Sequence, residues 1–215
     1  MKKMVIVSTV PRSFLTFLKG QAKYLSKYYE VELISSFDKY NKDIEDFEGV
    51  RLNVVNMSRK ITPFSDLKSL ILLFLYFKRR KPEIVYSISP KAGLLSMIAA
   101  FFAGVPLRAH SVIGMPLMEA KGLKHVVLKI VEKITYSFSN KLLCNSFGLR
   151  DYIGQNITNK EIRVIGYGSV NGIDTDYFKD TFTQSQKKYI KKELNITPND
   201  CVLLYIGRVV KDKGI

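Results

Sequence analysis

Short β-branched runs alternate with longer apolar-periodic stretches down to about residue 165, and that alternation leaves few folds open. The strand runs are residues 4–8, 30–35, 50–55, 83–88, 107–112, 141–144 and 162–165. Between them, helices are expected over 14–28, 64–80, 92–103 and 147–153, with 117–138 mostly helical and broken near Gly122. Residues 37–49 read as loop or loose helix, and Gly104 closes the helix before it. Parallel strands need a crossover of helical length, so the pattern specifies an α/β doubly wound parallel sheet, a Rossmann-like domain. Near residue 165 the pattern changes. Three glycines, Gly166, Gly168 and Gly172, fall within seven residues, and a second apolar run, 201–206, ends in Gly207-Arg208 as a new α/β unit would. The expected organisation is a domain over 1–168, a linker over 169–199, and over 200–215 the first strand of a domain truncated after it.

Composition narrows the partners. Of 215 residues, 47% are hydrophobic, enough for an ordinary core, and 34 Lys+Arg against 19 Asp+Glu give a net charge of +15. Such a balance suits nucleic acid, an anionic membrane or phosphorylated small molecules. No zinc-finger spacing, RNA-binding aromatic signature or helix-turn-helix pattern is present, so nucleic acid ranks last and is not an expected partner. Lys78-Arg79-Arg80-Lys81 follows the apolar run 70–77, which suits either docking on anionic lipid or a core helix with a basic end. A second cluster, Lys187, Lys188, Lys191 and Lys192, reads as a solvated helix face. No apolar run reaches the roughly 18–20 residues of a membrane span, and 4–7 is too short for a signal peptide. The expected location is cytoplasmic, peripheral at most on the inner face of the cytoplasmic membrane. Cys144 and Cys201 read as buried apolar residues, and two histidines, His110 and His125, make no histidine-rich metal site.

In a doubly wound sheet, ligands bind at the C-terminal ends of strands. Four loops qualify: 9–13, 89–93, 113–119 and 145–148. Lys91 stands beside a helix N-terminus after Ser89-Pro90, where backbone N–H groups and an ammonium suit a phosphate; the alternative is a solvated turn residue. His110 either faces the cleft or is packed in its strand, and Glu119 is either an N-terminal helix charge or a hydroxyl-binding carboxylate. Arg12, Ser13 and Ser146 complete the candidates. A Gly-x-Gly-x-x-Gly fingerprint is missing from the first loop, which disfavours a nicotinamide or flavin enzyme, and no nucleophile elbow or P-loop occurs.

Five pieces in order resemble retaining glycosyltransferases of family 4, of the type that builds capsule and O-antigen polysaccharides. They are Ser89-Pro90-Lys91-Ala92-Gly93-Leu94-Leu95, Ala103-Gly104-Val105-Pro106-Leu107-Arg108, Gly114-Met115-Pro116-Leu117-Met118-Glu119, the segment Gly166 to Asp174, and Gly207 to Gly214. The resemblance implies a GT-B fold of two Rossmann-like halves, the first holding the acceptor and the second a nucleotide sugar. It implies that Arg208 and Lys213, with Gly207 and Asn171, contact the donor, since a departing nucleoside diphosphate needs its charge neutralised. Lys91, His110, Glu119, Arg12, Ser13 and Ser146 would lie on the acceptor side. No metal or cofactor is expected; the nucleotide sugar is a substrate. The expected acceptor is a saccharide on a polyprenol diphosphate. Relatives often carry His or Arg before Gly114 where this chain has Ile113, so no catalytic residue is assigned. A chain ending at Ile215 would lack the donor half and be inactive alone. The competing reading is a non-catalytic Rossmann-like module that binds a partner or a phosphorylated ligand.

Overall fold

A computed structural model describes residues 1–207 and 209. The chain divides into two compact units, Met1–Gly172 and Ile173–Ile215. The first holds seven strands, β1 (Lys2–Val7), β2 (Tyr29–Ser35), β3 (Leu52–Val54), β4 (Ile84–Ser87), β5 (Leu107–Val112), β6 (Lys141–Cys144) and β7 (Ile162–Val164). All pair in parallel, in the order β3-β2-β1-β4-β5-β6-β7. The order reverses between β1 and β4, which places the topological switch point there.

Period-two alternation along β1 separates two cores. Val5 and Val7 join Val85 with Leu73 and Phe77 of α4 (Pro63–Arg80) and with Leu95, Ala99 and Ala100 of α5 (Pro90–Ala103). Met4 and Ile6 join Leu33 with Phe14 of α1 (Arg12–Thr16), Ala22 of α2 (Gln21–Leu25) and Ile44 of α3 (Asn41–Glu48). A third cluster gathers Tyr136 of α6 (Gly122–Phe138), Leu142, Cys144 and Ile153 of α7 (Phe147–Asn156).

The single helix expected over 14–28 is two. Gly20, at φ 77°, interrupts it, and the buried carboxylate of Glu48 accepts the Gly20 amide at 2.7 Å and the Lys23 amide at 3.0 Å. A glutamate from another helix thus satisfies the N-terminus of α2, which lies outside any local pattern. Residues 37–49, expected loose, contain the ordered helix α3. The break near Gly122 is present: a 3-10 turn, Pro116–Met118, precedes α6. Helix α4 ends as its sequence dictates, on Lys81 in the left-handed region with Pro82 behind it.

The second unit contains α8 (Gln184–Glu193), opened by a capping box between Thr183 and Gln186. Over the described residues 201–206 the strand expected from 200 to 208 is not formed; these residues are irregular and exposed.

Candidate functional site

At the switch point, the loops after β1 and β4 are joined by hydroxyls. The Thr9 amide donates to Ser89 Oγ at 3.0 Å, the two hydroxyls lie 2.8 Å apart, and Thr9 Oγ1 accepts the Ala92 amide at 3.1 Å. Thr9 therefore caps α5 from the loop after β1. One of the N–H groups expected to face a phosphate is already satisfied.

Lys91 is committed as well. Its ammonium is ion-paired with Asp66, whose carboxylate also accepts from the Thr62 amide and hydroxyl at the start of α4. With only 12% of the Lys91 side chain exposed, it fastens α5 to α4 rather than waiting for an anion. This corrects the expected open phosphate site.

His110 is also a correction. It is buried, its Nδ1 lies 2.8 Å from Ser87 Oγ, and its ring fills the space above Gly93. Burial lowers its pKa to about 4, so the imidazole is neutral near pH 7. It aligns β5, β4 and α5 and does not face an acceptor. Ser146 is the N-cap of α7, accepting the Leu149 amide at 3.2 Å.

Glu119 and Arg12 remain open to solvent. Glu119 follows the 3-10 turn, which is anchored by buried Met115 and Leu117, and among the described residues its carboxylate has no hydrogen-bond or ion-pair partner. Arg12 opens α1 with its guanidinium 5.2 Å from the Tyr40 ring centroid, and half-buried Ser13 follows it. Both residues lie at the C-terminal edge of the sheet, in the loops after β5 and β1. By contrast, a hollow of about 300 Å3 between β6 and β7 is lined by Asn140, Lys141, Lys160 and Arg163, at the opposite edge.

Of the expected donor contacts, Asn171 belongs to the first unit. Its Nδ2 donates to the Lys19 carbonyl at 3.0 Å. Gly207 is an exposed bend, and Arg208 and Lys213 lie outside the described residues. The residues that sequence reasoning passed over are Thr9, Asp66, Glu48 and Asn145. Asn145 stood inside a chosen loop, whereas Asp66 and Glu48 pair across at least 25 residues and leave no local signal.

Residues 18–168, nearly all of the first unit, match the glycosyl transferase 4-like domain. The chain belongs to that family. It is 36% identical over its whole length to the capsular polysaccharide biosynthesis glycosyltransferase CapM of Staphylococcus aureus, covering 55% of that protein. It is 29% identical over 164 residues to the Escherichia coli UDP-Gal:alpha-D-GlcNAc-diphosphoundecaprenol alpha-1,3-galactosyltransferase, covering 75% of this chain and 41% of that one. Among solved structures, Anabaena Alr3699/HepE in complex with UDP and glucose superposes with a TM-score of 0.64 at 14% identity, over 90% of this chain and 50% of that one. This glycosyl transferase 4-like chain thus spans about half the length of the curated relatives it matches.

Proposed function

We propose that this chain is the acceptor-side half of a glycosyltransferase that moves a sugar from a nucleotide sugar to a saccharide carried on undecaprenyl diphosphate, at an anionic membrane surface. The relatives named for capsular polysaccharide and for a diphosphoundecaprenol substrate support the acceptor class. The observation that carries the reading is a set of exposed apolar side chains on α4 and α6, the two helices that pack on either side of α5. Phe64, Leu67 and Leu75 of α4 and Leu123, Val126 and Ile130 of α6 are exposed, with Phe64 at 93% and Leu123 at 80%. Both helices begin at the C-terminal edge of the sheet, the edge that carries Arg12 and Glu119. Lys68, Lys78, Lys124 and Lys129 lie on the same helices. Large exposed apolar groups beside ammonium groups match a lipid headgroup boundary, where the apolar residues insert and the lysines meet phosphate. Among the described residues, no helix is long and apolar enough to cross a membrane.

In this reading Glu119 accepts hydroxyls of the acceptor saccharide and Arg12 meets its diphosphate. No metal or organic cofactor is part of the proposal. The test is equilibrium binding to a short-chain polyprenyl diphosphate carrying N-acetylglucosamine, with UDP-N-acetylglucosamine as the comparison. Saturable binding of the lipid-linked saccharide, weakened by Glu119→Gln and Arg12→Ala, supports the reading. Equal binding by the wild type and both variants overturns the site. No binding to the lipid-linked saccharide at all overturns the acceptor-side assignment and favours the non-catalytic module.

A further inference from the structure

Within the first unit, the segment leaving β7 is tied back to the end of β6, and that tie also holds the Gly114-Met115-Pro116 turn. Both ties meet at Asn145, just past the end of β6. Its carbonyl accepts the Ser169 amide at 2.6 Å, and its side-chain Nδ2 donates to the Ile113 carbonyl at 2.9 Å. Gly168, at φ 98°, lies so close that a Cβ there would stand 2.7 Å from the same Asn145 oxygen. Ser169 itself is held at φ 70°, a left-handed conformation that costs a non-glycine residue free energy unless its surroundings enforce it. Farther along, Gln21 Nε2 donates to the Val170 carbonyl at 2.9 Å, and Val170 packs on the cluster that includes Ile88 and Ile113.

We propose that Asn145 is a positioning residue that makes the 113–119 loop and the 166–172 segment change conformation together. One side chain and one carbonyl of the same residue hold the two pieces. Neither can shift without lengthening a hydrogen bond to Asn145 or carrying Asn145 with it. The consequence for function rests on the acceptor reading: a saccharide held at Glu119 would alter the order of the segment that leads on to residue 173.

Hydrogen exchange on the whole chain, without ligand, tests the coupling. The reporters are the Met118 and Ala120 amides, bonded to the Met115 and Leu117 carbonyls, and the Ser169 amide. Gly168→Ala breaks the segment side and touches nothing in the loop. It is expected to speed exchange at Ser169 and also, about three- to tenfold, at Met118 and Ala120, the range one hydrogen bond supports. Asn145→Asp keeps the size but replaces the donor with an acceptor facing the Ile113 carbonyl. In that background Gly168→Ala should add nothing further at Met118 and Ala120, the non-additivity that defines a shared link. Unchanged exchange in β1 and β4 shows that the fold is intact. Should Gly168→Ala not fold, Gln21→Ala loosens the same segment from its other end and carries the same comparison. Faster exchange at Ser169 with Met118 and Ala120 left at wild-type rates overturns the proposal. Since no acceptor is present, this result is separate from any failure of the acceptor reading.

Discussion

A Cβ on Gly93 would stand 2.4 Å from His110 Cε1, so the first turn of α5 and the middle of β5 meet with no room for a methyl group. The imidazole is held through its Nδ1 by Ser87 Oγ at 2.8 Å, which leaves it little freedom to withdraw. Alanine favours a helix by about 1 kcal/mol over glycine. Overpacking of about 1–3 kcal/mol opposes it. Gly93→Ala should therefore lower the urea midpoint despite the better helix former, and His110→Ala should relieve much of that loss in the double variant. Additive losses would contradict the contact.

The same histidine sets a pH dependence. Buried, its pKa lies at about 4 against about 6.5 when unfolded, so between those values the unfolded chain binds the extra proton. Stability present above pH 6.5 is lost as pH falls towards 4, by about 3 kcal/mol over the full window. Urea titrations at successive pH values should show this slope in the wild type and its reduction in His110→Gln.

Glu132 acts in the opposite sense. It is buried in α6 beside the Tyr136 hydroxyl one turn on, neither group making a well-formed hydrogen bond among the described residues, and burial raises its carboxyl pKa against the smaller, lowering effect of that hydroxyl. A raised folded pKa gives stability that is present at low pH and lost as pH rises above the ordinary carboxylate range. Glu132→Gln should be more stable than the wild type near pH 8, by about 1–3 kcal/mol as for other buried polar groups. Equal stability at pH 8 would show that the carboxylate finds a partner in solution.

Lys91→Ala should cost stability and not ligand affinity. Breaking a partly buried ion pair leaves Asp66 with only its Thr62 contacts, a loss of about 1–3 kcal/mol. A Lys91 variant that keeps its thermal midpoint yet loses binding to the lipid-linked saccharide would restore the phosphate role read from the loop.

Much of this was legible in the chain. Alternating strand and helix runs are enough for the seven-stranded parallel sheet, because the apolar runs of β1 and β2 fit strands buried on both faces at its centre. The loops at strand ends were legible for the same reason. What the sequence hid was which of their polar residues are spoken for. Lys91 reads the same whether it waits for a phosphate or meets Asp66, because its partner is 25 residues away. The break at Gly20 depends likewise on Glu48, 28 residues on. Glu119, exposed and without a hydrogen-bond or ion-pair partner among the described residues, and Arg12, exposed and stacked on Tyr40, are the residues the proposal rests on.

Photocrosslinking of a lipid-linked saccharide shows directly whether the acceptor lies against Arg12 and Glu119. The chain would be bound to vesicles of anionic phospholipid containing a polyprenyl diphosphate–N-acetylglucosamine with a photoreactive saccharide, and the labelled peptides identified. Label is expected in 10–13 and 113–119, with labelling reduced about tenfold or more when Phe64→Glu and Leu123→Glu remove the apolar contact, since each buried side chain is worth about 1.5–3 kcal/mol. Label confined to the β6–β7 hollow around Lys141 and Arg163, or labelling indifferent to the two glutamates, would contradict it.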